Sequence, residues 1–299
     1  MKILVTGAQG FTGVHFTQAA RALKHEVIAL AADLTDAAAV NAEVAQAAPQ
    51  AVVHLAGISF VGHADDTAFY AVNTVGTATL LGALCALPVA PTKVLIASSA
   101  TVYGNSLHSP ISENASLAPA NHYAASKVAM ELMAQTFADK LAIVIARPFN
   151  YTGVGQNASF LIPKLVNHFV QRAKNISLGN IHVKREFNDV AMVCGAYLHL
   201  LDHGEPGQAY NVCTGEMHDL RQVLALLQEI TGHTLNVEIN PAFVRANEIH
   251  QLCGDASKIR SLLAAHEKSV QPIPLSHTLK AMLSAAQSTA SRENAPNVA

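Results

Sequence analysis

Tyr123 and Lys127 are the two residues whose types and spacing most directly suggest catalysis. A separation of four residues places both side chains on one face of a helix, and Asn121–Lys127 has the pattern of a helix start. A lysine ammonium placed there favours the tyrosine phenolate and lowers the pKa of the phenol toward neutrality. We therefore expect Tyr123 to exchange a proton with a carbonyl or an alcohol. The alternative is an exposed pair without function, because this spacing also occurs by chance.

Hydroxyl side chains precede this pair in Ile96–Gly104, which has the sequence IASSATVYG. They follow the apolar run Lys93–Ala97, which predicts a strand. Open α/β sheets bind ligands beyond the carboxyl ends of their strands. The hydroxyls therefore favour the catalytic interpretation of Tyr123 and Lys127.

A glycine-rich turn follows the first predicted strand, Lys2–Thr6, and precedes helical periodicity over Val14–Leu23. Gly7 permits a tight turn, Gly10 lets backbone amides approach a pyrophosphate, and Gly13 lets the helix pack on the strand. We predict a dinucleotide site here. Glycines retained only for packing are the alternative, because such a motif is weak by itself.

Alternating strand and helix patterns position these residues. Strands are predicted at Glu26–Leu30, Ala51–Leu55, Lys93–Ala97 and Leu141–Ala146, and helices at Ala37–Gln46, Val75–Leu84 and Ala125–Leu141. Apolar runs without strict alternation indicate parallel strands covered on both faces. We therefore predict an α/β fold, a Rossmann-type doubly wound parallel sheet with a smaller mixed α/β C-terminal substrate lobe.

The pattern loosens after Asn150, which sets the predicted domain boundaries. Residues 1–150 form the dinucleotide-binding domain, and residues 186–210 return to it. Residues 151–185 and 211–289 form the substrate lobe. The small, polar residues 290–299 predict a disordered tail.

Composition excludes several classes of protein. The chain has 299 residues, 13% of them charged, with a net charge of -2, so it lacks the basic field of a nucleic-acid binder. Apolar stretches such as Leu141–Ala146 stop short of the ~20 residues of a membrane helix. The four cysteines are widely spaced and a strand opens the chain, which favours a cytoplasmic location. The histidines are scattered without HExxH, so we expect no metal site.

An ordered series of motifs resembles the extended short-chain dehydrogenase/reductase family of nucleotide-sugar epimerases, dehydratases and 4-ketoreductases. The motifs are TGAQGFTG at Thr6–Gly13, HLAG at His54–Gly57, VNTVGT with Asn73, SSATVYG at Ser98–Gly104, Tyr123 with Lys127, ARPFN at Ala146–Asn150 and YNVCTG at Tyr210–Gly215. The resemblance covers nearly the whole chain.

The resemblance implies a catalytic set of Ser99, Tyr123 and Lys127 acting with a nicotinamide. Ser99 would bond the substrate oxygen, Tyr123 would act as acid or base, and Lys127 would hold the nicotinamide ribose. The residues it places at the cofactor are Gly7, Gly10, Phe11, Thr12, Gly13, Asp33, Leu34, Leu55, Ala56, Gly57, Asn73, Tyr123 and Lys127. His54 ends a strand and would also line the cofactor. For His54 and Asn73, packing and bracing of neighbouring backbone are the alternatives.

The second lobe is most similar to the branch of GDP-mannose dehydratases and GDP-4-keto-6-deoxymannose reductases. The segments that carry this likeness are Arg147–Gly153, Phe160–Lys164, Arg185–Asp189, Arg245–Glu248 and Gly254–Lys258. Within the branch, the matching positions contact the nucleotide sugar. These positions are Ser99, Thr101, Asn150, Lys164, Arg185, Arg245 and Glu248.

The branch implies reduction of a GDP-4-keto-6-deoxyhexose by NAD(P)H at C4, giving a rhamnose- or talose-type sugar. An epimerase or 4,6-dehydratase with tightly bound NAD is the alternative, and a non-catalytic dinucleotide sensor is a hypothesis of another class. Similar dehydratases place a glutamate two residues after the catalytic Ser or Thr. That position is Thr101 here, which lacks a carboxylate.

Two further expectations concern the cofactor and the assembly. Asp33 either binds a ribose hydroxyl, which favours NADH, or matches an adenine-contacting Asp-Leu of the family. In the second interpretation the second strand ends at Leu30 without an acid, and we favour NADPH. The family commonly dimerises through two long helices, here about 66–84 and 123–141. We therefore expect a homodimer.

Overall fold

The structure, a computed structural model, describes residues 1–59, 64–106, 108–243 and 249–293, with residues 290–293 described by their backbone alone. The strands are β1 (Lys2–Thr6), β2 (Glu26–Leu30), β3 (Ala51–His54), β4 (Lys93–Ala97), β5 (Ile143–Pro148), β6 (Tyr151–Thr152), β7 (Asn175–Leu178), β8 (Lys184–Glu186), β9 (Asn188–Asp189), β10 (Ala209–Val212), β11 (Met217–Asp219), β12 (Asn236–Ile239) and β13 (Gln251–Leu252). The helices are α1 (Phe11–Ala22), α2 (Ala37–Ala47), α3 (Asp66–Phe69), α4 (Thr77–Cys85), α5 (His122–Gln135), α6 (Leu161–Val170), α7 (Val190–His203), α8 (Leu220–Thr231), α9 (Ser257–Ala265) and α10 (Leu275–Glu293).

The main sheet has six parallel strands in the order β10-β5-β4-β3-β1-β2. Consecutive strand residues enter opposite hydrophobic cores. In β1, Ile3 and Val5 join the core covered by α1 and α7, while Leu4 joins the core covered by α2, α4 and α5. Both faces are therefore buried, which explains why the strands lack polar alternation. The predicted doubly wound α/β sheet is confirmed.

One helix is longer than the Val75–Leu84 that periodicity indicated and agrees with the range of about 66–84 that the resemblance implied. α3 continues through a π-helical segment, Tyr70–Gly76, into α4, giving a helix over Asp66–Cys85. This helix has 20 residues and meets the length and composition of a membrane span, which corrects the expectation that no apolar stretch approaches this length. In the structure, 44% of its apolar 18-residue stretch is buried inside the protein, and the helix packs against α2 and α5. A helix in the core of a globular protein can meet the same criteria of length and composition.

The smaller lobe has its own hydrophobic core. Helices α6, α8 and α10 pack around Leu165, Val223, Leu227 and Leu279, and the β12-β7 pair adds Ile176. The strands β11-β8-β13 form a small sheet, and β6 pairs with β9. These short elements lie beyond the carboxyl ends of β4 and β5, where the catalytic candidates lie.

The packing differs from the predicted boundaries in two places. Ile259 and Leu263 of α9 bury themselves in the core shared with α7 and β10, so α9 packs with the dinucleotide-binding domain. Helix α10 extends to Glu293, so it includes residues 290–293 of the predicted tail. Residues 294–299 lie outside the described residues.

Candidate active site

The turn between β1 and α1 is built for close backbone approach. Gly7 has φ +66°, and a Cβ there would lie 2.8 Å from the Ala56 nitrogen. A Cβ on Gly13 would lie 2.1 Å from the Gly7 oxygen. Helix α1 begins at Gly10, with no side-chain cap and no acidic residue in its first turn. Its first N–H groups therefore suit an anionic pyrophosphate, which fits a dinucleotide.

The residues after Gly10 connect this turn to the second lobe. The ring of Phe11 stacks on Tyr151 with centroids 6.0 Å apart, and Thr12 Oγ1 lies 2.8 Å from Tyr151 Oη. Burial raises the pKa of Tyr151 to about 12, so this phenol stays protonated. Tyr151 thus joins the cofactor turn to the loop after β5. Because this contact joins residues 139 positions apart, local sequence patterns gave no signal for it.

The end of β3 forms the floor of the cofactor site. The backbone N–H groups of Leu55 and Ala56 donate to Thr6 Oγ1, at 3.2 and 3.0 Å. A Cβ on Gly57 would lie 2.8 Å from Asn73 Oδ1, so only glycine leaves this space open.

His54 is a packed residue whose hydrogen bonds join β1, β3 and α4 beneath this floor. Thr6 Oγ1 already accepts two backbone N–H groups, so its hydroxyl donates to His54 Nδ1 at 2.7 Å. Thr77 Oγ1 donates to the Asn73 oxygen, so it accepts from His54 Nε2 at 2.8 Å. Burial, with the Lys127 charge, lowers the pKa of His54 to about 3. His54 is therefore neutral and 1% exposed, and it does not line the cofactor.

Asn73 braces neighbouring backbone, as the alternative to a cofactor contact expects. Its side chain is fully buried. Its Oδ1 accepts from the Ile58 N–H at 2.9 Å, and its Nδ2 donates to the Ile58 oxygen and to Ser126 Oγ. The amide therefore joins the loop after β3 to α5, and all of these bonds stay within the protein.

More acidic side chains lie near the end of β2 than the strand pattern suggested. Asp33 is exposed, and its carboxylate accepts from Thr35 N and Oγ1, which lowers its pKa. Leu34 is buried against Gly76. Glu43 of α2 reaches back and accepts from the Ala31 N–H at 2.8 Å. An acid does stand at the end of β2, and the sequence expectation missed it because Glu43 lies twelve residues later.

Helix α5 presents Tyr123 and Lys127 on its buried face. Asn121 caps the helix by accepting from the Ala124 N–H at 2.9 Å, so the helix starts before the predicted Ala125. Burial raises the pKa of Tyr123, and a hydrogen bond from Ser99 opposes this. Lys127 Nζ donates to the Ala97 oxygen at 2.8 Å, and burial lowers the pKa of Lys127 to about 8 although the Glu131 charge raises it.

Burial acts on the pKa of Tyr123 in the opposite direction to the effect expected from Lys127. Tyr123 is 9% exposed, so desolvation of the phenolate outweighs the stabilisation expected from Lys127. The structure therefore holds a protonated phenol near neutral pH. A protonated phenol suits an acid that donates to a nascent alkoxide.

Ser99 is oriented by its neighbour Thr101. Ser99 Oγ accepts from Thr101 N at 3.2 Å and from Thr101 Oγ1 at 2.9 Å. Both lone pairs are then occupied, which leaves the Ser99 proton to be donated toward Tyr123 or a substrate oxygen. Thr101, expected to contact substrate, is a partner of Ser99 in this structure.

The remaining substrate candidates surround one segment. Lys164 Nζ lies 5.4 Å from the centroid of the Phe243 ring, and Arg185 Nη2 donates to the Ile249 oxygen. Phe243 and Ile249 flank residues 244–248, so Arg245 and Glu248 themselves lie outside the described residues. Asn150 is exposed at the end of β5, and its oxygen accepts from the Asn188 N–H at 2.9 Å. The cationic candidates Lys164 and Arg185 thus contact the two described residues that flank positions 244–248 in the sequence.

Within the described ranges 1–59, 64–106, 108–243 and 249–293, no group of His, Cys, Asp or Glu is arranged to hold a metal ion. The four cysteines are free thiols.

Comparison with known proteins agrees with this geometry. A curated GDP-6-deoxy-D-talose 4-dehydrogenase from Aggregatibacter actinomycetemcomitans is 37% identical over 88% of this chain and 91% of that protein. GDP-6-deoxy-D-mannose reductase from Pseudomonas aeruginosa is 33% identical over 95% of this chain and 96% of that protein.

Solved structures show the same fold. RMD from Pseudomonas aeruginosa complexed with NADPH superimposes with a TM-score of 0.88 and 30% identity, covering 97% of this chain and 100% of that chain. A protein from Burkholderia cenocepacia J2315 gives a TM-score of 0.90 and 42% identity, covering 96% of this chain and 98% of that chain. The GDP-mannose 4,6-dehydratase family profile matches residues 17–269. The chain therefore belongs to the GDP-mannose 4,6-dehydratase family, in the extended short-chain dehydrogenase/reductase fold.

Proposed function

We propose that this protein is an NAD(P)H-dependent reductase of the C4 ketone of a GDP-4-keto-6-deoxyhexose, giving a GDP-6-deoxyhexose of the rhamnose or talose type. The observation that carries this proposal is the site of Ser99, Tyr123 and Lys127, in which Thr101 fills both lone pairs of Ser99. The similarity to GDP-6-deoxyhexose dehydrogenases and reductases supports the substrate class.

The three residues divide the work of reduction. A bound reduced nicotinamide supplies the hydride for C4 of the sugar. Ser99 donates a hydrogen bond to the carbonyl oxygen, which receives the electron pair of the broken C=O π bond. Tyr123 gives that oxygen its proton and becomes a phenolate, which the Lys127 ammonium one helical turn away stabilises. The glycine turn and the free first turn of α1 hold the pyrophosphate.

The GDP-sugar is proposed to bind around residues 244–248. A diphosphate needs cationic or amide donors, and Lys164 and Arg185 contact Phe243 and Ile249, which flank this segment in the sequence. Arg245 and Glu248, within it, are proposed to bind phosphate and ribose hydroxyls. Asn150 stands exposed at the strand end, where an amide can reach the sugar.

The dehydratase activity of the family's namesake is the second candidate, since the family profile carries that name. Dehydration requires a base for the C5 proton and an acid for the C6 hydroxyl. The position that holds glutamate in similar dehydratases is Thr101, and its hydroxyl is bonded to Ser99. The buried, complete catalytic set also argues against a sensor without activity. We further infer a homodimer in the cytoplasm, for which the free thiols are suited.

The proposal is tested with freshly prepared GDP-4-keto-6-deoxymannose and GDP-mannose in parallel. We expect the purified protein to oxidise NADH or NADPH only with the keto sugar and to form a GDP-6-deoxyhexose identified by NMR. GDP-mannose should remain unchanged in the same assay. Conversion of GDP-mannose to a 4-keto-6-deoxy sugar without added reductant would place dehydration first.

A further inference from the structure

We propose that the buried Glu131–Arg147 ion pair is a positioning device that holds the strand end bearing Ser99 against the helix bearing Tyr123 and Lys127. This inference rests on the proposed catalytic roles of those three residues. It assigns a function to two charged residues that contact neither the glycine turn nor the candidate substrate segment.

The carboxyl end of β4 and the two residues after it meet α5 at three points. Along the strand end, the Ala97 oxygen accepts from Lys127 at 2.8 Å, and Ser98 Oγ donates to Glu131 Oε1 at 2.5 Å. The next residue, Ser99, faces Tyr123 and opposes the rise in the pKa of its phenol. Three consecutive strand-end positions therefore meet three helix positions spaced by four residues, all on one face of α5. The bond from Ser98 therefore ties Glu131 to the residue that immediately precedes Ser99.

Arg147 of β5 fixes Glu131 in turn. Its Nη2 and Nε donate to the carboxylate at 2.6 and 3.0 Å, a two-pronged geometry that leaves the helix little freedom to rotate. Its Nη1 donates to Tyr103 Oη at 2.9 Å. Tyr103 ends the short 3-10 turn that Ser99 caps, and it donates to Asn211 of β10 at 2.7 Å. The pair thus connects both flanks of Ser99 to α5 and to two further strands.

Stability alone does not account for this arrangement. The side chains of Arg147 and Glu131 are only 8% and 5% exposed, and among the described residues this is the ion pair with both partners buried. Desolvation of two charges offsets most of their attraction, and well-packed apolar replacements are often neutral or stabilising. A buried pair located where the catalytic elements meet is better explained by the geometry it fixes.

The test is the double variant E131L/R147M, which replaces both charges by apolar side chains of similar size. We expect it to fold with a melting temperature at or above that of the wild type and to keep its KM for the cofactor. Its kcat should fall about 10²-fold, because small displacements of catalytic groups have effects of this size. S98A, which removes only the link to the strand, should lose about tenfold in kcat.

The matched control is K93M. Lys93 begins the same strand, β4, at the end opposite to Ser99. Its Nζ donates to the Gly204 oxygen. K93M removes a partly buried charged contact without touching the catalytic end, so its kcat should match that of the wild type. A kcat within twofold of the wild type for E131L/R147M would overturn the proposal. If the double variant does not fold, an unchanged kcat for S98A would overturn it.

Failure of the proposed function gives a different result. If the wild type reduces no GDP-keto sugar, or if Y123F keeps full activity, the catalytic assignment fails whatever the variants of the pair do. Crystal structures then decide the positioning role independently. We expect the Ser99–Tyr123 contact to persist in K93M and to open in E131L/R147M. Retention of that contact in the double variant would contradict the inference.

Discussion

Burial determines how the catalytic side chains ionise. Tyr123 is enclosed by protein, and the pKa of its phenol is raised, so it holds the proton that reduction requires. We expect Y123F to keep its fold and its cofactor affinity while kcat falls by about 10²-fold or more, the scale of general acid catalysis. Steady-state kinetics, with cofactor titration and thermal unfolding as controls, measure this. Turnover near that of the wild type would show that another group donates the proton.

Lys127 predicts the alkaline limit of activity. The pKa of its ammonium is lowered to about 8 by burial, and Glu131 opposes this shift. The cation that stabilises the Tyr123 phenolate is present below pH 8 and is lost as the pH rises through that value. The kcat/KM of reduction should therefore fall above about pH 8. A profile flat to pH 10 would contradict a required Lys127 cation, because the other groups facing it are neutral His54 and the Glu131–Arg147 pair.

Which residues could be predicted from the sequence follows from how their contacts are made. Ser99, Tyr123 and Lys127 belong to short local patterns, and the structure brings them together. Tyr151 and Glu43 act through contacts that depend on the tertiary fold. The effect of Lys127 on the pKa of Tyr123 was inferred from spacing, which reveals a neighbouring charge but not the desolvation that raises this pKa.

Among the elements, the β2–α2 loop governs the expected choice between the two nicotinamide cofactors. Glu43 stands at the end of β2, Asp33 follows in the loop, and residues 25–92 contain no lysine or arginine. A 2′-phosphate placed there meets carboxylates without a cation, so we now expect NADH to be preferred over NADPH by at least about tenfold in kcat/KM.

E43Q should narrow that preference by weakening the repulsion. E26Q is the control. Glu26 begins β2, at the end of the strand away from the glycine turn, so it should not affect the choice of cofactor. The kcat/KM for NADH and the kcat/KM for NADPH are each measured from initial rates. Preference for NADPH in the wild type would show that the carboxylates face away from the ribose.

The elements themselves were predictable where burial is two-sided. The strands of the main sheet are mainly apolar, and β1 to β5 agree with their predicted positions to within a few residues, whereas β10 was not predicted as a strand. For the helix over Asp66–Cys85, periodicity indicated a start only at Val75, because the π-helical segment shifts the register of its buried residues, whereas the family resemblance implied the full length of about 66–84. Helix α9 was placed in the substrate lobe with residues 211–289, since its packing partners α7 and β10 are distant in sequence and could not be identified from it.

At the scale of the whole molecule, an exposed apolar face suggests how two chains associate. Val75 is 59% exposed and Leu132 is 54% exposed, on two helices that pack side by side, and Ala71 and Gly82 are exposed on the first of them. Small residues allow close approach of helices from a second copy. We predict a homodimer of twice the 31.5 kDa chain mass by light scattering at micromolar concentration.

The double variant V75R/L132R should be a folded monomer. L23R is the matched control, because Leu23 is 61% exposed but follows α1 on the other face of the sheet, and it should remain dimeric. A monomeric wild type would remove the basis for this assembly.

The most direct test of the account follows the hydride itself. The wild type is given GDP-4-keto-6-deoxymannose and a reduced nicotinamide cofactor in which both C4 hydrogens are replaced by deuterium, and the product sugar is examined by NMR. We predict deuterium at C4 of a 6-deoxyhexose, one atom for each cofactor oxidised, and no such product from Y123F at comparable rates. A product carrying ordinary hydrogen at C4, or a sugar altered at C5 or C6 without cofactor oxidation, would contradict the assignment as a 4-ketoreductase.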